Sequence, residues 1–176
     1  MNIRVEKPKD SRMDAVVFID EAHSRQHASK HYNATFYATG GPSTAISVLI
    51  TAPPSIASSG NIIHAIFTVE ADKGILWTVS EAPNVGATTS TAIVVYNNDR
   101  NSILTSGTIF VGNPSSYVSS GTILSQHVTG ANGAPSIDAN ARNEFLLASN
   151  IKYLVYVLPT ATTTQTVINN TFYLEQ

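Results

Sequence analysis

After residue 33 the sequence is a succession of short apolar runs separated by turn-forming residues. In "TAISVLIT" (44–51), Ile46, Val48 and Ile50 recur at period two, the spacing of one face of a β-strand. Gly, Pro, Asn and Asp interrupt the runs throughout. No helical pattern longer than about ten residues appears in this part of the chain. The pattern therefore constrains the chain to an all-β fold of about eight to ten strands.

Frequent turns between short strands predict an antiparallel β-sandwich, jelly-roll-like in type. The length of 176 residues suits one such domain. We divide the chain into an N-terminal arm and histidine-bearing segment (1–32) and a β-sandwich domain (33–176). Residues 91–97 ("TAIVVYN") are predicted to form one strand, and 72–74 ("DKG") a hairpin turn. The expected core comprises Ile46, Val48, Ile50, Phe67, Val69, Trp77, Val94, Val155, Val157 and Phe172.

Charge is divided unevenly along the chain. Residues 1–30 carry 11 of the 22 Lys, Arg, Asp and Glu side chains, and the formal net charge is −2. This balance predicts no long-range attraction to nucleic acid or to a membrane surface. The weakly charged body predicts contact with other protein, including copies of itself. A neutral β domain with a solvated N-terminal tail would have the same composition.

Three histidines recur at a spacing of four. Asp20 is a suitable N-cap and residues 21–31 contain no Gly or Pro, which predicts a short helix with His23, His27 and His31 on one face. His23 and His31 would lie roughly 12 Å apart along the axis, so one zinc could bind only a neighbouring pair. We expect the three side chains to serve in packing or at an interface, with no metal bound. A metal-dependent enzyme that uses them is the rival hypothesis.

Other catalytic patterns are missing from the sequence. No Gly-x-Ser-x-Gly turn and no Gly-rich loop before Lys-Ser or Lys-Thr is present. No two carboxylates form a recognisable acid–base pair. Trp77 stands on an apolar strand face, where a core position is expected rather than a sugar-stacking one. The chain is therefore predicted not to be an enzyme and to need no cofactor.

His27 and His31 form a His-x3-His stretch, and an aromatic strand with Tyr32, Phe36 and Tyr37 follows it. In these features the segment resembles small virion proteins of tailed bacteriophages. The mid-chain turn "YNNDRNS" (96–102) and the final pair of runs, "IKYLVYVLPTATTTQTVINNTFYLEQ" (151–176), are similar too.

The resemblance implies a capsid decoration (cement) protein, or the base of a head fibre, that is often a homotrimer. Its partners would be the major capsid protein and further copies of itself. It would be located on the capsid surface of the virion after assembly in the host bacterial cytoplasm. The mostly polar residues 1–15 and the absence of cysteine agree with cytoplasmic assembly.

The arm is predicted to contact the capsid. The candidate residues are Ile3, Arg4, Val5, Lys7, Lys9 and Arg12. Exposed ion pairs are each worth about 0–1 kcal/mol, so "NIRVEK" (2–7) is also expected to pair as an added strand. Residues 1–20 should have little structure alone, while "AVVFID" (15–20) should dock on its own domain. The alternative function is a receptor- or glycan-binding module of a phage fibre or tail.

Overall fold

The computed structural model describes most of the chain, in several separate ranges. The regular structure in them consists of β-strands and includes no helix. Accordingly, nothing in them could cross a membrane as a helix. The described residues are 3–6, 17–20, 28, 30–42, 44–54, 62–85, 91–104, 106–113, 117–119, 121–129, 144–160 and 164–175.

Fifteen strands are present in these ranges. The first eight are β1 (Ile3–Glu6), β2 (Val17–Asp20), β3 (His31–Gly40), β4 (Ile46–Thr51), β5 (Ile62–Ala71), β6 (Ile75–Glu81), β7 (Asn84–Val85) and β8 (Thr91–Ile93). The other seven are β9 (Val95–Asn97), β10 (Ile109–Gly112), β11 (Tyr117–Ser119), β12 (Thr122–Val128), β13 (Glu144–Leu147), β14 (Lys152–Pro159) and β15 (Thr164–Glu175).

Eight of the strands form a jelly roll, in which one long hairpin is rolled into two sheets. One arm of this hairpin runs from β3 to β6 and the other from β12 to β15. The arms pair in nested order: β6 with β12, β5 with β13, β4 with β14 and β3 with β15. Rolling adds pairs between β14 and β6 and between β15 and β5. All of these pairs are antiparallel, which confirms the predicted antiparallel, jelly-roll-like sandwich.

The segment between β6 and β12 is an insertion that widens both sheets on the same side. β10 and β8 extend one sheet to the order β12-β6-β14-β4-β10-β8, and β9 extends the other to β13-β5-β15-β3-β9. A single residue, Val94, separates β8 from β9, so the chain crosses between the sheets there. The insertion leaves the roll at Ala82 and returns at Gly121, and both residues have positive φ.

The core lies between the two sheets, on the inward faces that period-two alternation predicts. Nine of the ten expected core residues are buried, all except Val94. The Phe172 ring stacks against those of Tyr32 and Phe110, with centroids 5.4 and 5.3 Å away. These aromatic contacts join β15 to β3 and β10, so the insertion shares the core of the roll.

Tyr153 is the main polar group in this core. Its hydroxyl donates to Glu81 Oε1 at 3.0 Å and accepts from the backbone N–H of Ala148 at 2.7 Å. Burial raises the pKa of Tyr153 to about 12. The phenol is therefore a neutral, hydrogen-bonded group that ties β14 to β6 and to the turn after β13.

The structure corrects three expectations. Val94 is 60% exposed because residues 91–97 are two strands in different sheets, and the switch at Val94 breaks the alternation. The 72–74 turn does not close a hairpin. It joins β5 and β6, which lie in opposite sheets because each pairs with strands from the other arm of the roll. His31 begins β3 rather than ending a helix. The next residue, Tyr32, belongs to the core.

Candidate functional site

The N-terminal arm forms a hairpin in its described part. β1 and β2 are antiparallel, with Ile3 opposite Asp20 and Val5 opposite Phe18. Residues 3–6 of "NIRVEK" form a strand, and its partner in the described structure is β2 of the same chain. The expectation that residues 1–20 have little structure alone is wrong for these two strands. Of the predicted capsid contacts, Ile3, Arg4 and Val5 lie in β1, whereas Lys7, Lys9 and Arg12 lie outside the described residues.

The histidines that the structure describes occupy separate places. His31 and His64 lie in one row of the five-stranded sheet with Tyr173 between them, two strand spacings or roughly 9–10 Å apart. His64 Nδ1 is 2.7 Å from Glu144 Oε1. Among the described residues no group of three metal-ligating side chains converges. His23 and His27 lie outside those residues.

His31 is half-buried at the start of β3. Its Nδ1 lies 3.3 Å from the side-chain nitrogen of Asn98, and its carbonyl accepts from the Asn98 backbone N–H at 2.8 Å. Burial of the ring lowers the pKa of His31 below its usual 6.5. The imidazole is therefore neutral at neutral pH and holds the turn after β9 against β3.

This shift predicts an acid sensitivity of the fold. As pH falls below 6.5 the unfolded chain takes up a proton at residue 31 before the folded chain does, so the free energy of unfolding falls. Above that pH both states are neutral and the contribution is absent. NMR titration should place the midpoint of His31 below 6.5, and His31→Gln should remove this part of the acid-dependent loss. A midpoint at or above 6.5 would contradict the assignment.

A serine–histidine pair lies at the opposite edge of the sandwich, on β12. Ser125 Oγ is 2.7 Å from His127 Nε2, and the His127 ring stacks on Trp77 with a centroid distance of 4.4 Å. Residues two apart on a strand share a face, so the spacing of Ser125 and His127 was readable from the sequence. In the described structure no carboxylate hydrogen-bonds to His127. The arrangement is a nucleophile–base contact without the third group that would orient the base.

The insertion exposes several large apolar side chains, which we call the edge patch. The patch comprises Val94, Tyr96, Ile103, Leu104 and Ile109. Phe110 pairs with Ile93, so the next positions, Ile109 and Val94, adjoin across the strands. Ile103 is 95% exposed. Isolated exposed apolar residues are ordinary, but five within one insertion make it a candidate interaction surface.

Polar side chains around the 98–104 turn fix the shape of this patch. Asn97 Oδ1 accepts from the backbone N–H of Asp99 at 2.9 Å, and Asp99 Oδ1 accepts from that of Asn101 at 3.1 Å. Asn97 Nδ2 also donates to the carbonyl of Leu104 at 3.3 Å. These bonds tie the turn to β9 and leave the apolar side chains of Ile103 and Leu104 outside.

Beside the edge patch lies a cleft of about 300 Å³ between β9 and the segment that leads into β10. Its lining includes Tyr32, Val95, Asn97, Leu104, Thr108 and Ile109. Leu104 and Ile109 belong to both the cleft and the patch, so the surface is concave as well as apolar. This surface was not predicted from the sequence. The signal was the pair Ile103–Leu104, which stands inside a polar turn.

The other edge of the sandwich also exposes apolar residues. Ile123 and Leu124 on β12 and Leu146 on β13 are at least two-fifths exposed. A register shift between Ile123 and Ser125 interrupts the β12–β6 pairing, as bulges on edge strands do. Both edges of the roll thus present apolar side chains.

Comparison of the chain with protein-family models, with curated proteins and with solved structures finds no match.

Proposed function

We propose that this protein is a structural virion protein of a tailed bacteriophage that binds the outer capsid surface as a homo-oligomer and reinforces or decorates it. The observation that carries the proposal is the division of the chain into a charged N-terminal segment and a weakly charged body with exposed apolar side chains. Half of the charged side chains belong to residues 1–30, while the insertion in the jelly roll exposes the apolar side chains of the edge patch. Charged side chains suit contact with a separate partner that has a polar surface, whereas exposed apolar side chains suit permanent packing between copies.

The jelly roll supports this proposal by analogy. Viral capsid proteins and lectins both use this architecture, so the fold agrees with the proposal and with its alternative. The described residues also bring together no metal site and no complete catalytic triad. The resemblance of the histidine segment and the final strands to phage virion proteins selects the capsid among the possible partners.

The arm would supply the contact with the major capsid protein. In the described structure β1 pairs with β2 along one edge, and the small sheet has no third strand. A capsid strand could add to the second edge of β1 through backbone hydrogen bonds. Arg4, Lys7, Lys9 and Arg12 would then pair with acidic capsid groups. Several contacts must act together, because each exposed ion pair contributes only about 0–1 kcal/mol.

Removal of residues 1–13 tests this role. The shortened chain should fold and assemble normally, because β3 to β15 keep all their pairs, but should bind undecorated capsids at least about tenfold more weakly. Co-sedimentation with particles measures the binding. Because the deletion also removes the partner of β2, the triple variant Lys7→Glu, Lys9→Glu, Arg12→Glu gives a second test with β1 intact.

The matched control for this test is Lys73→Glu with Lys152→Glu. Both lysines are exposed on the sandwich, away from the arm in the sequence, and their reversal should leave particle binding unchanged. If the shortened chain decorates particles as well as the full chain does, the arm is a solvated tail and its proposed role is wrong.

One observation favours the alternative, a receptor- or glycan-binding module. Tyr37 and Tyr96 are both more than half exposed, on strands β3 and β9 of the same sheet, and exposed aromatic rings can stack on sugars. The Arg100 guanidinium lies 5.2 Å from the Tyr96 ring centre and covers part of that ring. Binding of the isolated protein to a glycan array, lost in Tyr37→Ala, would favour this function over capsid decoration.

A further inference from the structure

We infer that the edge patch is the surface through which copies of this chain associate. The inference takes the homo-oligomer from the proposed function and is otherwise independent of particle binding. The eight-stranded roll has its nested pairs without the insertion, so the insertion is an addition to one side of it. It covers the outer edges of β3 and β4 with the three-residue strands β8 and β9 and with β10. The new edge exposes Val94, Tyr96, Ile103, Leu104 and Ile109.

The size of the patch suits a protein interface. Burying an aliphatic side chain is worth about 1.5–3 kcal/mol at about 25 cal/mol per Å², which corresponds to on the order of 100 Å² each. Weighted by their exposed fractions, the four aliphatic side chains and the half-exposed Tyr96 ring together present roughly 400 Å² of apolar surface. A standard interface buries about 800 Å² per partner, somewhat more than half of it apolar. The patch therefore supplies most of the apolar area that one such interface needs.

The charge of the insertion points to a second copy as the occupant. Between residues 91 and 113 the charged residues are Asp99 and Arg100, adjacent and opposite in sign. Two copies can therefore approach through this surface without like-charge repulsion. Interfaces that form permanently between identical chains are more apolar than those formed with separate partners, which resemble ordinary protein surface.

The geometry lowers the cost of association. The Asn97 and Asp99 side chains hold the 98–104 turn in one shape, so Ile103 is presented without ordering a loop on binding. The cleft of about 300 Å³ beside it, lined by Leu104 and Ile109, has room for an aliphatic side chain from another copy. The surface thus contains both a projecting apolar residue and an apolar recess.

Sedimentation velocity of the full chain over a micromolar concentration range tests the inference. The wild-type protein should sediment as a dimer or larger closed oligomer of the 18.8 kDa chain. Ile103→Asp should weaken association by on the order of 10- to 100-fold, from the lost burial of one aliphatic side chain. Ile103 is almost fully exposed, so the variant should retain the circular dichroism and melting temperature of the wild type.

Two control variants locate the surface. Leu146→Asp places the same charge at an exposed position on the opposite edge and should leave the oligomer intact, as should Ile123→Asp on β12. A monomeric wild type overturns the inference, as does an oligomer that Ile123→Asp dissociates and Ile103→Asp does not. If Ile103→Asp stays oligomeric but loses particle binding, the patch binds another protein and the inference is wrong. If the wild type is an oligomer that Ile103→Asp dissociates, and the wild type does not bind particles, then only the proposed capsid role is refuted.

Discussion

Replacement of Phe172 with alanine is expected to lower the free energy of unfolding by about 3–5 kcal/mol. The ring is 1% exposed and stacks against Tyr32 and Phe110, so its removal leaves a cavity beside two rings that belong to β3 and β10. The surrounding strands are paired on both sides and can close the cavity only in part. Domains of this size have about 5–15 kcal/mol of stability, so the variant should lie close to the limit of folding.

Urea unfolding followed by fluorescence and circular dichroism measures this loss. Tyr37→Ala is the matched control, because this aromatic ring on β3 is 58% exposed and its removal should change stability by about 0.5 kcal/mol or less. A loss below about 1 kcal/mol for Phe172→Ala would show that the ring does not fill the centre of the core. The assignment of β15 to that core would then need revision.

Replacement of Gly121 with alanine is expected to cost at least about 3 kcal/mol or to prevent folding. Gly121 has a φ of +69°, and an L-residue in that region costs about 1–2 kcal/mol. A Cβ there would also collide with the backbone oxygen of Glu81 and with the backbone of Ala82. These are the residues at which the insertion leaves the roll, and backbone atoms cannot rotate away as a side chain can.

The thermal midpoint and the soluble yield of Gly121→Ala report this cost. Gly41→Ala is the matched control, since a Cβ at Gly41 meets no atom within 4 Å and its φ is not in the left-handed region. That variant should remain within about 0.5 kcal/mol of the wild type. Equal stability of the two variants would mean that the insertion does not return to the roll at the position described.

The strands and their inward faces could be predicted from the sequence because alternation is a local property. Ile46, Val48 and Ile50 recur at period two, and such residues must share a face of any strand that contains them. They are all buried in the core. The same argument predicts that Trp77 lies in the core, and Trp77 is buried. An all-β sandwich follows once many such strands must bury one face each.

The partners of each strand could not be predicted in this way, because pairing depends on the path of the whole chain. The 72–74 turn has hairpin chemistry, yet β5 and β6 lie in opposite sheets, since each is paired by a strand from the other arm of the roll. The expected core position of Val94 failed for a related reason: local alternation holds only while a strand stays in one sheet. The pairing of β1 with β2 across ten intervening residues has no local signal either.

The two candidate interaction surfaces differ in the same way: the arm can be predicted from the sequence, and the edge patch cannot. Concentration of charge in residues 1–30 is a property of the sequence, and it predicts a binding role for the arm. The edge patch exists only in the folded chain, because Val94 and Ile109 become neighbours through the β8–β10 pair and Ile103 is exposed by the turn that follows β9. The sequence by itself determined which residues alternate and where charge lies. The tertiary structure decided which apolar residues remain exposed, because burial depends on which strands are brought together.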